Sequence, residues 1–338
     1  MAKIILNYEQ KEAVEHRKTP LLIIAGAGTG KTTVVTERIK YIIKKELALP
    51  QEILALTFTE KAAREMEERV DQALPYGYIQ TWISTFHSFC DRVLRNEAVH
   101  IGLNPVFKLI GEAEATQLLQ KKLWDMNLSY FRPRGNPTKF LSGLLTHFSR
   151  LKDEDIAPKQ YTAWVKSQIT PPKADQPSAE KSQETDEFKK WKELAIAYKE
   201  YENTKEKEGV MDFSDLISNT LKLFRERKNI LNNYKNRFKY ILVDEFQDTN
   251  IAQYKLVKLL TPDGQSPHLA VVADDNQSIY RFRGAAVSNV LSFMDDYKNA
   301  KQVVLNRNYR STQTILNDAY KLIKNNDPDT LEAKLGID

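Results

Sequence analysis

Five consecutive apolar residues, Leu21 to Ala25, run directly into Gly26-Ala27-Gly28-Thr29-Gly30-Lys31-Thr32, and this junction constrains the fold more than any other stretch. An unbroken apolar pentad bounded by turn residues reads as a strand buried on both faces, as in parallel sheets. After it, Thr32 to Ile43 carries Val34, Val35, Ile39 and Ile42 at helical spacing. A strand, a glycine-rich turn and a helix in that order direct backbone N–H groups into a concave loop at a helix N-terminus, where phosphate oxygens bind. Lys31 then reaches the terminal phosphates and the Thr32 hydroxyl serves Mg²⁺. Ala25 stands where the loop pattern prefers glycine, and its small side chain still permits the turn. The run Ala25, Gly26, Ala27, Gly28, Thr29, Gly30, Lys31, Thr32 and Thr33 therefore reads as an ATP or GTP site.

The same alternation recurs near both ends of the chain. Leu21–Ala25, Ile53–Phe58, Ile79–Ser84, Tyr240–Val243, Leu269–Ala273 and Gln302–Leu305 are short, apolar and bounded by polar or turn residues. Helical patterns separate them, such as KAAREMEERV with Ala62, Met66 and Val70 four apart. Strands alternating with helices predict βαβ units and a parallel sheet, hence an α/β fold. From about Cys90 to Gly209 the patterns are helical, with no convincing strand: Leu119, Leu123 and Met126 share one stripe, and Phe188, Trp191, Leu194, Tyr198 and Tyr201 another. Thr170 to Asp186 is proline-rich and polar and reads as an exposed loop. We therefore expect a P-loop domain in two parts, residues 1–90 and 210–305, interrupted by an inserted helical domain over 91–209.

At 338 residues the chain is long for one domain. Its formal charge of +5 is modest, but part of it is local: Arg225 to Lys239 holds six basic residues against Glu226 alone. Lys139 to Val210 holds thirteen of each sign and reads as solvated surface. The single cysteine, Cys90, excludes an internal disulfide and fits a reducing compartment. The five histidines lack metal-ligand spacing, and His87 with Cys90 reads as a polar histidine beside a buried thiol. No apolar stretch approaches the roughly 20 residues that span a bilayer, and the N-terminus lacks a signal-peptide core. The expectation is a cytoplasmic protein with no membrane partner.

KYILVDEFQD, Lys239 to Asp248, is an apolar strand ending in carboxylates. Asp244 is placed to hold Mg²⁺ opposite Thr32, and Glu245 to orient and deprotonate an attacking water. ADDNQSIYRFRGA, Ala273 to Ala285, follows another buried strand. It offers Gln277 as a γ-phosphate sensor, and Tyr280, Phe282 and Arg283 as two π-faces and a cation. NRNYRST, Asn306 to Thr312, offers Arg310 as a candidate arginine finger beside Tyr309.

Together these segments resemble the UvrD/Rep/PcrA family of superfamily 1 DNA helicases. LNYEQKEAV is similar to the family's adenine-reading motif. AGAGTGKT, TFTEKAAREM, STFHSFC, VDEFQDTN, DDNQSIYRFRGA and NRNYRST are similar to its later motifs, in family order. The resemblance implies a RecA-like fold and a 3′–5′ helicase or translocase on single-stranded DNA and its junctions with duplex, driven by ATP and Mg²⁺. It further implies that Gln10 reads the adenine edge, that Tyr309 stacks on the base, and that Gln277 and Arg310 contact the γ-phosphate. It assigns Phe58, His87, Tyr280, Phe282 and Arg283 to a single-strand groove, where aromatic stacking accepts any base. Phe282 stands where relatives often carry Trp.

The family also uses a second RecA-like domain, of which residues 306–338 read as the start. The expectation is accordingly an N-terminal part that binds ATP and DNA weakly and hydrolyses ATP poorly alone. The helicase part of an AddA/RecB-type helicase-nuclease, a non-catalytic DNA-binding module and a generic P-loop ATPase remain open at this level.

Overall fold

A computed structural model of the chain describes residues 5–72, 81–132, 135–136, 138–168, 186–262, 267–274, 277 and 288–326. The chain divides into two compact units, Met1–Phe89 with Phe224–Asp338, and Cys90–Leu223. In chain order the strands are β1 (Leu21–Ala25), β2 (Ile53–Thr57), β3 (Trp82–Thr85), β4 (Lys108–Leu109), β5 (Val210–Met211), β6 (Tyr240–Val243), β7 (Leu269–Ala273) and β8 (Lys301–Leu305).

The first unit is built on a six-stranded sheet ordered β3-β2-β6-β7-β1-β8, with every pair parallel. β1 is paired on both sides, Ile23 lying opposite Val272 of β7 and Val303 of β8. Every residue of β1, β2, β6 and β7 is buried, which explains why these strands are continuous apolar runs rather than alternating ones. The helix Lys31–Lys44 buries Val34, Val35, Ile39 and Ile42 among these strand residues. In the helix Glu60–Asp71 the buried positions are Ala63, Met66 and Val70, not Ala62. An i, i+3, i+7 stripe follows the 3.6-residue turn, whereas strict steps of four drift off the face.

Three strand limits differ from the sequence reading. β2 ends at Thr57 instead of Phe58, β8 begins at Lys301, and β3 runs Trp82–Thr85. Ile79 and Gln80 of the expected third strand lie outside the described residues. Thr85 is polar yet belongs to the strand, because its hydroxyl donates to Glu60 at 2.8 Å rather than to solvent.

The second unit is mainly helical: Glu112–Leu123, Leu141–Asp153, Pro158–Ser167 and Asp186–Glu208 enclose a core containing Leu119, Leu123, Phe148, Tyr198 and Tyr201. Phe148 stacks on Tyr198 and Tyr201, with ring centroids at 5.1 and 5.6 Å. The expectation of no strand over about Cys90 to Gly209 is corrected by β4, which pairs in parallel with β5 just beyond that span, Lys108 with Val210 and Leu109 with Met211. A two-residue strand carries no periodicity for sequence to reveal. The loop expected over Thr170 to Asp186 lies outside the described residues except for Asp186, which begins a helix.

Reading Lys139 to Val210 as uniformly solvated also needs correction. Lys152 and Lys205 are 4% and 2% exposed and share Asp215, at 2.5 and 2.6 Å, with Asp212 and Glu202 alongside. Burial and the neighbouring carboxylates act oppositely on Lys152, and the carboxylates prevail, holding its ammonium well above the ordinary lysine range. Burial pushes Asp215 up to about 6. Among the described residues no helix is long and apolar enough to cross a membrane.

Candidate nucleotide site at the carboxyl edge of the sheet

In a parallel sheet the loops that leave the carboxyl ends of the strands share one edge, where open α/β folds bind ligands. The glycine-rich loop leaves β1, Asp244 and Glu245 leave β6, Asp274 leaves β7, and the Asn306–Thr312 turn leaves β8. Because β6, β7, β1 and β8 are consecutive neighbours, these four segments form one constellation.

The loop owes its shape to two glycines in the left-handed region, Gly28 at φ +77 and Gly30 at φ +93. Gly30 is the N-cap of the helix Lys31–Lys44, and the Thr29 hydroxyl donates to the Gly26 carbonyl at 2.8 Å. The first-turn amides, including those of Thr32 and Thr33, have no partner within a helix, so they are available to an anion. A β-carbon at Gly30 would stand 2.9 Å from the Gln10 amide nitrogen. Gln10 is buried with both ends of its amide engaged: Oε1 accepts from Asn7 N–H at 3.1 Å, and Nε2 donates to the Thr29 carbonyl at 2.9 Å. Gln10 therefore ties the cap of the first helix, Tyr8–Glu15, to the loop.

Lys31 is the hub. Its Nζ lies 3.0 Å from Glu245 Oε2, 3.3 Å from Asp274 Oδ2 and 3.4 Å from Gln277 Oε1. Loop and acid pair thus meet, despite their separation in sequence. Glu245 adopts φ +50, a conformation that costs a residue with a β-carbon about 1–2 kcal/mol and turns the chain sharply after β6. Gln247 donates to Glu245 at 2.8 Å and accepts from the Asp274 N–H at 2.9 Å, bridging the ends of β6 and β7. Gln277 donates to Asp274 at 2.5 Å.

Asp244 is 3% exposed. Burial first, then the Glu245 charge, push its carboxyl up to about 7, against the pull of Lys31. Burial and Glu245 likewise push Asp248 up to about 6. One ammonium facing Asp244, Glu245, Asp248 and Asp274 leaves an excess of oxygen ligands, the donor chemistry of Mg²⁺. Another close carboxylate trio among the described residues is Glu202, Asp212 and Asp215 of the second unit. That trio is ion-paired with both Lys152 and Lys205.

The turn after β8 docks on the loop: Tyr309 N–H donates to the Gly28 carbonyl at 2.9 Å. Tyr309 itself is 54% exposed, with the Arg307 guanidinium 5.3 Å from its ring centre, and Arg310 is exposed. Phe58 and His87 follow β2 and β3 on the same edge, both half-buried. Burial holds the His87 imidazole below its ordinary range, and the Glu60 charge opposes this. Tyr280, Phe282 and Arg283 lie outside the described residues. Sequence reasoning assigned no role to Asp274, Gln247, Glu60 or Asn308, although all four lie in motif segments. The available signal was Asp274's position at a strand end, matching that of Asp244.

The profile of the UvrD/REP helicase N-terminal domain matches residues 6–298. The ATP-dependent DNA helicase PcrA of Bacillus subtilis (strain 168) is 42% identical over 322 residues, covering 95% of this chain and 40% of that protein. Proteins of the same name from Staphylococcus aureus (strain Mu50) and Staphylococcus epidermidis are each 40% identical over 321 residues, with the same coverage. The chain therefore spans 40% of the length of these curated relatives.

Proposed function

The chain belongs to the UvrD/REP helicase N-terminal domain family, and from that premise we propose that it is the ATP-binding part of an ATP-dependent DNA helicase moving 3′ to 5′ along single-stranded DNA. The observation that carries this reading is the meeting of Lys31 with Glu245, Asp274 and Gln277 at the carboxyl edge of the sheet. ATP with Mg²⁺ supplies a γ-phosphoryl group whose transfer to water drives the motion. The loop amides and Lys31 bind the phosphates, while Thr32 and Asp244 hold the metal. Glu245 orients the attacking water and takes its proton, and Gln277 and Arg310 sense the γ-phosphate. Phosphoryl transfer asks mainly for positioning and charge stabilisation, which such an edge provides.

Tyr309, exposed beside the loop, offers a face for the adenine ring, and Gln10 fixes the loop from behind while reading the base edge. Phe58, His87, Tyr280, Phe282 and Arg283 line the path of the single strand. An arginine finger contributes about 10³–10⁵-fold, the contribution assigned in this reading to Arg310.

The test uses the complete natural gene product and a partial duplex with a 3′ overhang. DNA-stimulated ATP hydrolysis with strand displacement is expected, and both are lost in Glu245→Gln, which still binds nucleotide. Absence of DNA stimulation, or normal turnover in that variant, would reject the proposal.

A further inference from the structure

The Asn308 side chain joins the β8 turn to the phosphate loop. Its Nδ2 donates to the carbonyl of Ala27, and its Oδ1 accepts from the backbone N–H groups of Arg310 and Ser311, both at 2.8 Å. A single amide thus satisfies both segments, and Tyr309 N–H to the Gly28 carbonyl closes the contact from the other side. The approach is so close that a β-carbon on Gly28 would stand 2.7 Å from Arg310 Cβ and 2.9 Å from Asn308 Nδ2. Gly28 therefore has a second reason to be glycine besides its positive φ: no other residue lets the turn lie against the loop.

We propose that Asn308 is a positioning residue that latches the Tyr309–Arg310 turn onto the phosphate loop, so that nucleotide discrimination by Arg310 depends on a side chain that does not touch nucleotide. The two ends of the amide do different work. Oδ1 shapes the turn, as a short polar side chain does when it accepts from the N–H groups two and three residues on. Nδ2 sets where the turn sits relative to the loop. Without that second bond, Arg310 and Tyr309 remain on an exposed turn with only the Gly28 carbonyl to register them. A long cation whose anchor is loose loses most of its oriented contact with a terminal phosphate. The latch rests on the reading of this edge as an ATP site.

The experiment measures binding of fluorescent ATP and ADP analogues to the 338-residue chain and to Asn308→Ala, Asn308→Ser, Arg310→Ala and the Asn308→Ala/Arg310→Ala double variant. Lys31→Ala serves as the control for the site. Serine still accepts from the turn N–H groups but is too short to reach Ala27, so it separates turn shape from latching. Charge-assisted bonds of about 1.5–3 kcal/mol correspond to about 10–100-fold in affinity. Arg310→Ala is therefore expected to lose about tenfold of the preference for ATP over ADP.

Both Asn308 variants should lose most of that same preference, and the double variant should lose no more than Arg310→Ala alone. Hydrogen exchange of the Arg310 and Ser311 amides should accelerate in Asn308→Ala but much less in Asn308→Ser. Wild-type discrimination retained in both Asn308 variants, or additive losses in the double variant, overturns the latch while leaving the ATP site intact. Equal binding by wild type and Lys31→Ala overturns the ATP reading, and the latch with it.

Discussion

Replacing Asp244 by Asn isolates what the buried acid at the end of β6 costs the fold. The Asp244 carboxyl is pushed from its ordinary 3.8 up to about 7, by burial first and by Glu245 second. Each unit of that difference is about 1.4 kcal/mol, so a fully ionised Asp244 costs the first unit up to about 4 kcal/mol. The sign follows from proton binding: the folded chain holds this proton more tightly than the unfolded one. The penalty is absent below pH 3.8, grows as pH rises, and is complete above about 7. Asn keeps the acceptor for the Glu245 N–H, 3.1 Å away, and never ionises. Its NH₂ group shifts the stability of the variant by an amount that does not change with pH, so the pH dependence of the difference is the diagnostic. Between pH 5 and pH 8, in buffer containing EDTA, the stability of Asp244→Asn relative to wild type should rise by about 2–3 kcal/mol. Two compact units make a single unfolding midpoint ambiguous. Urea-dependent hydrogen exchange of peptides covering β1 and β6 reads the sheet unit alone. A difference that stays flat, or that narrows as pH rises, refutes the assignment of Asp244 as a reluctantly ionised buried acid.

Lys31→Ala should abolish nucleotide binding in equilibrium titrations while leaving single-strand binding within about twofold, because the two functions draw on different loops; equal loss of both in a folded variant contradicts this. Lys205→Met removes one of two cations from Asp212, Asp215 and Glu202 and should destabilise the helical unit by about 3–5 kcal/mol, read by urea-dependent exchange of the helix Asp186–Glu208. A loss below about 1 kcal/mol would mean the cluster reorganises freely. Glu193 accepts from the Ser129 hydroxyl and from the N–H groups of Ser129, Tyr130 and Phe131; burial raises its carboxyl and these donors together bring it below the ordinary range. Glu193→Ala should cost that unit about 2–4 kcal/mol by the same exchange measurement, and an unchanged profile would show the loop is held otherwise.

Legibility in the sequence followed burial. β1, β6 and β7 have the limits their apolar runs predict, because a strand covered on both faces must be apolar throughout. Strand ends at the functional edge were less legible: Thr85 is placed by a contact with Glu60, 25 residues away in the chain, rather than by local pattern. Lys152 and Lys205 looked like surface lysines on amphipathic helices. Their burial is set by Asp212 and Asp215, some 60 residues beyond Lys152, and no local period encodes that. The site was legible as far as its motifs extend. The glycines, Lys31 and the acid pair announce phosphate chemistry by type and order, whereas the bridging amides of Gln247 and Asn308 are visible only once the strands are neighbours.

The contacts of Lys31 also explain how one edge can hold a buried ammonium and a carboxylate cluster side by side. A buried ammonium and buried carboxylates are each costly alone, and each becomes tolerable when it faces the other. Glu245 and Asp274 are the counter-ions of Lys31, and on the proposed function a triphosphate replaces them, since phosphate oxygens offer Lys31 stronger and more numerous acceptors. On the proposed function, a carboxylate released in that exchange is the one assigned to the attacking water, which couples phosphate binding to the arming of Glu245. Gln247 ties the two acids together: its amide donates to Glu245 and accepts from the Asp274 N–H. Coupling of this kind makes turnover sensitive to Gln247 even though its side chain points at protein rather than at ligand. Gln247→Ala should therefore lower kcat in the complete enzyme by about tenfold or more while changing nucleotide affinity little, since it removes a contact that matters after binding. An equal change in KM with kcat intact would place Gln247 in ground-state binding and undo the exchange argument.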